Sequence, residues 1–366
     1  MLLLVVMLVI EGTWAVRLYH SWPFVITSLI TASLLLFCAV RDFKARRMVA
    51  CGSHLGFALV MTGAMLGAVV ETNCKIVIDT HATERVAYTP DNKPVVLPFS
   101  LQLHDFQIDY YDDSVSPKQY TSYITLKQQD DNIDLSTSVN HPAHYKGWWI
   151  YQSDYDRANS DFVVLQLVRD PWLPLVYLGF VLMVVSALFQ LVRTWHSWRV
   201  IPVALAVAVA FTCVSLLRIE LKTLVPALRS IWFFPHVMVY MLAYSLMAIS
   251  LVLCLWSLTS RASAKRAATL GHGLLQTTSA LLLIGMLCGA VWAKEAWGQY
   301  WTWDAKECWA AVTWFVTVMG SHIPKSSSHR WIAALTVVVA FAFMQVTWYG
   351  VNYLPSAQYS VHTYNQ

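Results

Sequence analysis

Trp172-Leu-Pro-Leu-Val-Tyr-Leu-Gly-Phe-Val-Leu-Met-Val-Val-Ser-Ala-Leu-Phe-Gln-Leu-Val192 runs from end to end without a charged residue. A helix of roughly 20 apolar residues crosses the hydrocarbon core of a bilayer, so this stretch reads as a transmembrane helix. The same reading extends in both directions. Apolar runs recur at Leu2–Val9, Pro23–Val40, Gly52–Val70, Pro202–Leu217, His236–Leu258, Gly273–Trp292, Trp309–His322 and Trp331–Gly350. Together they predict a mainly α polytopic membrane protein with about nine transmembrane helices. Composition agrees: 57% of the chain is hydrophobic and only 13% is charged, about half the charged share of a soluble domain. The net charge of +4 carries little message, because placement of charge decides orientation in a membrane protein. No basic tract with interleaved aromatics points to nucleic acid.

Loop charges give the orientation. Arg41, Lys44, Arg46 and Arg47, then Arg193 and Arg199, then Arg261, Lys265 and Arg266, then Lys325 and Arg330 all fall on one side of a nine-span chain. That side is the cytoplasm by the positive-inside rule, although Arg218, Lys222 and Arg229 lie opposite. The N-terminus is then cytoplasmic and the C-terminus outside. The opening MLLLVVMLVIEGTW lacks a basic n-region and a small-residue cleavage site. It reads as a short first span, or the end of one, and not as a signal peptide.

Residues 72–170 interrupt the spans with a polar insertion rich in Asp, Tyr, Thr and Gln. Lys75–Ile78, Tyr120–Leu126 and Phe162–Val168 carry strand patterns. The expectation is a small β-rich extracytoplasmic domain between an N-terminal membrane part (1–71) and a C-terminal one (171–366). None of the seven cysteines forms a C-x-x-C pair, which excludes a zinc ribbon or a thioredoxin-like motif. Any thiol chemistry needs thiols supplied by a partner.

The densest chemistry is Trp297-Gly-Gln-Tyr-Trp-Thr-Trp-Asp-Ala-Lys-Glu-Cys-Trp309, placed on the outer face between two spans. An aromatic belt at headgroup level is one reading. The other is a polar-edged aromatic platform for a large flat ligand. It is favoured by the tryptophan density, by Trp292 and Trp314 on either side, and by the embedded Asp304, Lys306 and Glu307. The span order also sorts the histidines. His54 and His322 lie at cytoplasmic span ends, while His236 and His362 lie outside, level with the tryptophan run. A ring nitrogen on each side of a porphyrin is how proteins hold six-coordinate haem iron, and ionisable groups in spans are functional candidates. Taken singly, each of these histidines reads more readily as an interfacial residue or a helix cap; two pairs at matching depths favour the haem reading. His272 competes with the inner pair. His20, His196 and His329 read as interfacial or solvated, and His81, His104, His141 and His144 belong to the insertion.

The tryptophan run resembles the "WWD" signature of haem-handling membrane proteins, W-G-x-Y-W-x-W-D-x-K-E-x-W, most closely its CcsA type. Trp297, Gly298, Tyr300, Trp301, Trp303, Asp304, Lys306, Glu307 and Trp309 match, and Ala305 replaces the usual Pro. Pro235-His236, His322, Gly350-Val-Asn352 and His362-Thr-Tyr364 agree with the same type. The N-terminal part resembles the CcsB (ResB) type through Gly12-Thr13, Tyr19-His-Ser-Trp22, His54 and the run Asn140-His-Pro…Tyr145-x-Gly…Tyr151-Gln-Ser. The chain therefore resembles a CcsB–CcsA fusion of the System II cytochrome c biogenesis pathway, with a short insertion.

The resemblance implies a multi-pass protein of a bacterial inner membrane, with the insertion, tryptophan run and C-terminus periplasmic. It implies a holocytochrome c synthase that moves haem b across the membrane and joins it by thioether bonds to Cys-x-x-Cys-His of apocytochrome c. His54 and His322 would be the inner axial ligands, and His236 and His362 the outer ones. Trp297, Tyr300, Trp301, Trp303, Asp304 and Trp309 would contact haem at the outer site. His236, His362 and Asp304 are the candidate catalytic residues, Asp304 as an aid to proton transfer. The expected partners are apocytochrome c, a thioredoxin-like thiol-reducing protein and membrane lipid. A haem transporter or chaperone without ligation activity is the alternative. A cytochrome b-like electron carrier is a weaker one, because the four histidines lie on four different segments.

Overall fold

The computed structural model describes residues 1–128, 131–157, 161–195, 224–259, 263–323 and 330–360. The expected span Pro202–Leu217, together with His196, His329 and His362, lies outside the described residues.

The chain begins with α1 (Leu2–Trp14), which ends on Ala15 in the left-handed region at φ 50°. The carboxylate of Glu11, buried in that last turn, accepts the amides of Arg17 (3.2 Å) and Leu18 (2.6 Å). A buried charge is costly unless hydrogen-bonded, and here it fixes the turn that leads to α2 (Trp22–Lys44). Ser21 caps α2 and Pro23 fills its first turn, a position where a missing N–H costs nothing. A three-residue reversal leads to α3 (Met48–Val70).

α3 runs almost directly into β1 (Thr72–Asp79). Next come β2 (Glu84–Tyr88), β3 (Pro94–Tyr110), β4 (Pro117–Gln128), β5 (Asp131–Ser138), β6 (Ala143–Tyr145), β7 (Trp148–Tyr155) and β8 (Phe162–Arg169). They form one antiparallel sheet in the order β5-β4-β3-β2-β1-β8-β7-β6. The period-two alternation of Ile76, Ile78, Leu97, Phe99, Leu101 and Leu103 puts one face into a dry core. The sheet curls so that β4 and β5 meet β7: Ser122 donates to Gln152 (2.6 Å) and Thr137 to the Ile150 carbonyl (2.8 Å). β1 and β8 pair from Thr72–Arg169 to Asp79–Phe162, so the end of α3 and the start of α4 (Leu173–Trp195) emerge side by side.

α3 and α4 approach closely through small residues. A Cβ on Gly56 would lie 2.8 Å from the Gly179 carbonyl, and one on Gly179 would lie 2.6 Å from the Gly56 carbonyl. Such contacts drive helix association where no hydrophobic effect operates. The remaining helices are α5 (Phe233–Trp256), α6 (Ala264–Trp297), α7 (Ala305–Ser321) and α8 (Arg330–Trp348). α7 is the buried centre, with Trp309, Val312, Trp314, Phe315 and Val316 inside a core shared by α1, α4, α5, α6 and α8. The outer helices turn large apolar side chains outward, among them Leu29, Phe37, Leu178, Phe189, Val252 and Leu335. An apolar exterior of this kind suits lipid and not water.

The protein is thus a polytopic membrane protein with a β-rich domain. Among the described residues, six helices are long and apolar enough to cross a bilayer: α2, α3, α4, α5, α6 and α8. The expectation of about nine spans is not met there. The run at Leu2–Val9 belongs to a helix of 13 residues, short of the roughly 17–25 that a crossing needs, and that at Trp309–His322 to one of 17, at the lower limit of that range. The run at Gly273–Trp292 is part of a 34-residue helix, about 51 Å long at 1.5 Å per residue, which projects beyond the hydrocarbon core.

Candidate haem site

The outer site begins where α6 stops. Gly298 caps it at φ +79°, a conformation that glycine adopts without strain. Lys294, buried in the last turn, donates to the Gly298 carbonyl at 2.8 Å. Residues 299–303 are irregular, and Trp303 sits at φ +61°. α7 then starts on a capping box in which Asp304 accepts the Lys306 amide (2.8 Å). Glu307 accepts the amides of Thr302 (2.7 Å) and Asp304 (3.2 Å). Asp304 and Glu307 therefore build the start of α7, a role visible in the spacing Asp304-x-x-Glu307.

This backbone path splits the tryptophan run into three environments. Trp297 packs on Trp292, with ring centroids 5.1 Å apart. Tyr300, Trp301 and Trp303 line a cavity. Trp309 lies in the helix bundle, next to Gly12 of α1 and 5.4 Å from the Phe343 ring of α8. Its buried indole N–H has no hydrogen-bond partner among the described residues. The single platform expected from composition is thus divided, and Trp309 is placed as a packing residue.

The cavity has a volume of about 1130 Å³, somewhat above the roughly 300–1,000 Å³ of small-molecule sites. Its walls come from α1, α2, α3, α4, α6 and α7. Trp303 stacks on Tyr19 at 5.0 Å with 5° between the rings, and Phe24 meets it edge-on at 5.1 Å. The opposite, inner end is formed by Phe57, Trp314 and Phe315, whose rings are in mutual contact. Arg17, His20, Glu71, Asp170 and Lys294 make its polar mouth. Burial raises the carboxyl pKa of Glu71, Asp170 raises it further, and the charge of Lys294 opposes both. Tyr19 and Phe24 are wall residues that sequence reasoning did not single out, although Tyr19 stands in the run Tyr19–Trp22 that matched the CcsB type.

Three of the four candidate histidines are described. His54, on α3, has Nδ1 2.9 Å from Asp42 Oδ2. His322, exposed at the end of α7, has Nδ1 2.8 Å from the Val318 carbonyl. His236, in the first turn of α5, has Nδ1 2.7 Å from the Gly285 carbonyl of α6. In each, an oxygen fixes Nδ1, which is how metal-ligating histidines are usually oriented, with Nε2 toward the metal. His236 also meets the rings of Tyr240 (4.9 Å) and Trp292 (6.1 Å). Trp292 therefore links it to Trp297. A Cβ on Gly289 would come within 2.7 Å of the His236 ring, so only glycine leaves that ring its place. None of the three histidines lines the cavity; His54 lies three residues, one helical turn, from Phe57 at its inner end.

The β-domain grips the outer site. Asn140 donates to the carbonyls of Pro226 (2.9 Å) and Ala227 (3.2 Å), and Tyr111 to that of Leu224 (3.0 Å). Trp292 donates to the same Ala227 carbonyl at 2.9 Å. Tyr151 packs on Gly298, and its buried hydroxyl lacks a hydrogen-bond partner among the described residues.

Comparison with known families matches residues 172–357 to the cytochrome c assembly protein family, half of the chain. The chain belongs to that family. Residues 37–161 match the ResB-like family, so a ResB-like part and a CcsA-like part are joined in one System II-type fusion. The cytochrome c biogenesis protein CcsA of Guillardia theta is 34% identical over 196 residues, covering 43% of this chain and 64% of that protein. CcsA of Chlamydomonas reinhardtii is 33% identical over 160 residues (40% and 45%), and that of Agrostis stolonifera 43% over 77 residues (20% and 24%). This cytochrome c assembly protein thus spans less than two thirds of the length of each of these relatives.

Proposed function

We propose that this chain carries haem b across the membrane and joins it to apocytochrome c outside. The observation that carries the reading is the aromatic cavity, which extends from Phe57, one turn from His54, to Trp301 and Trp303. Its size and flat walls suit a porphyrin, and the exposed cation Arg17 at its mouth suits a propionate. The oriented imidazole of His54, one turn from its inner end, suits the iron.

His54 and His322 receive the cargo near the cytoplasmic face. The cavity walls exclude water while the porphyrin passes outward. His236 and His362 then hold the iron beside the tryptophan run and turn the vinyl edge toward the periplasm. Thioether formation adds each Cys S–H of Cys-x-x-Cys-His across a vinyl C=C: sulfur bonds to one carbon and the proton goes to the other. No electron is transferred, and two C–S bonds result. The protein's contribution is to hold two reactants in register, and the incoming His of the apocytochrome replaces one axial imidazole. Asp304 contributes by starting α7 and so fixing Trp301 and Trp303. A thioredoxin-like partner keeps the apocytochrome thiols reduced. The setting is a bacterial inner membrane with the β-domain and tryptophan run periplasmic.

The test uses the purified full chain, its bound haem and a Cys-x-x-Cys-His apocytochrome peptide under reducing conditions. Covalent haem on the peptide, read from its mass and optical spectrum, is the expected result. Transfer without a covalent bond would leave the transporter or chaperone reading in its place.

A further inference from the structure

The three described histidines differ in what holds them. His322 and His236 face backbone carbonyls, whereas His54 faces a carboxylate. Asp42 stands in the last turn of α2 with a side chain 2% exposed. Its Oδ1 takes Arg47 and lies 3.8 Å from Arg41, and its Oδ2 takes His54. An anchor for the α2–α3 reversal needs only the Arg47 bond. The second oxygen instead spans two helices to the ring nitrogen, and a buried carboxylate is a costly way to hold a ring unless its charge is used.

We propose that Asp42 is the positioning residue for His54: it holds the Nδ1–H, points Nε2 at the haem iron and makes His54 a more electron-donating ligand than His236. This rests on the reading of His54 as an axial ligand. A carboxylate accepts a charge-assisted hydrogen bond roughly twice as strong as a neutral one. It raises the basicity of the imidazole, which stabilises ferric over ferrous iron. The backbone carbonyl at His236 does this more weakly. Cargo bound by His54 is therefore held with a lower reduction potential than the same site would give without the Asp42 charge.

The experiment uses the full chain in a His236→Ala background, so that the inner haem is the one observed. Asp42→Asn keeps the shape of the side chain and removes the charge. The expected result is a 10- to 100-fold loss of haem retention, the range typical of such partners. The potential rises by about 59 mV for each tenfold loss confined to the ferric state, and Asp42→Glu recovers part of both. His54→Ala in the same background separates two failures. If it retains the inner haem unchanged, the ligand reading falls and the inference with it. If it loses that haem while Asp42→Asn leaves potential and retention unmoved, the inference alone is overturned. A second measurement needs no change at Asp42. In His54→Gly protein, imidazole can donate to Asp42 and N-methylimidazole cannot. Imidazole is expected to restore the inner haem at least tenfold more tightly; equal affinities overturn the proposal.

Discussion

The surroundings of His54 and of His236 are built by opposite means. His54 is set by a charge, the buried carboxylate of Asp42, on a two-helix reversal near the cytoplasmic ends of α2 and α3. His236 is set by shape: a backbone carbonyl, the space left by Gly289, and the rings of Tyr240 and Trp292. The outer neighbourhood is further clamped by the β-domain through Asn140 and Tyr111. The inner one has no such clamp among the described contacts. On the proposed function, the inner site must release its cargo and the outer one must hold it for a second reactant, and those demands differ.

The largest effect is expected from removing a ligand. His236→Ala should abolish the outer haem in purified protein, with holocytochrome yield falling to background and the inner haem retained. Gly289→Ala should reproduce most of that loss without touching a ligand, because the new methyl displaces the ring; normal outer haem in this variant would break the shape half of the comparison. Trp303→Ala should weaken haem retention several-fold, since a stacked aromatic pair is worth about 1 kcal/mol and 1.4 kcal/mol is tenfold. Trp309→Phe should leave the haem spectrum unchanged and lower stability by about 1–3 kcal/mol, the transfer and cavity cost of a large-to-small core change; loss of haem would return Trp309 to the site.

The smallest effect concerns pH. Burial raises the carboxyl pKa of Glu71 above its ordinary value, so the folded state binds that proton more tightly than the unfolded chain does. Its contribution to stability is complete below the ordinary value and is lost as pH rises through the raised one. The junction between α3 and β1 should therefore be firmer in mild acid than at neutral pH. Glu71→Gln should flatten that dependence, as read from thermal unfolding in detergent.

Much of the architecture was legible in the sequence because lipid demands long apolar runs. The run at Trp172–Val192 became α4 with an offset of a residue at its start, and Lys75–Ile78, Tyr120–Leu126 and Phe162–Val168 fall within β1, β4 and β8. What the apolar runs did not show was the place of α7: it is surrounded by α1, α4, α5, α6 and α8, and only packing shows that. The division of the tryptophan run was not legible either. Gly298 and Trp303 take positive φ, so no helical or strand period projects which way Tyr300, Trp301 and Trp303 face. Asp42 was hidden for another reason. In Arg41-Asp-Phe-Lys-Ala-Arg-Arg47 it reads as one charge in a basic loop, and only the three-dimensional return of α3 brings His54 against it.

The most direct test of the central claim, that the aromatic cavity joins the two haem sites, is to block it. Ala64 on α3 lines the cavity between Phe57 and Glu71, and Ala64→Trp fills that passage. Haem at each site is then counted in the purified full chain, with His54→Ala and His236→Ala as assignments. The account predicts a filled inner site, an empty outer site and no holocytochrome. An outer site filled as in the unmodified chain would contradict it.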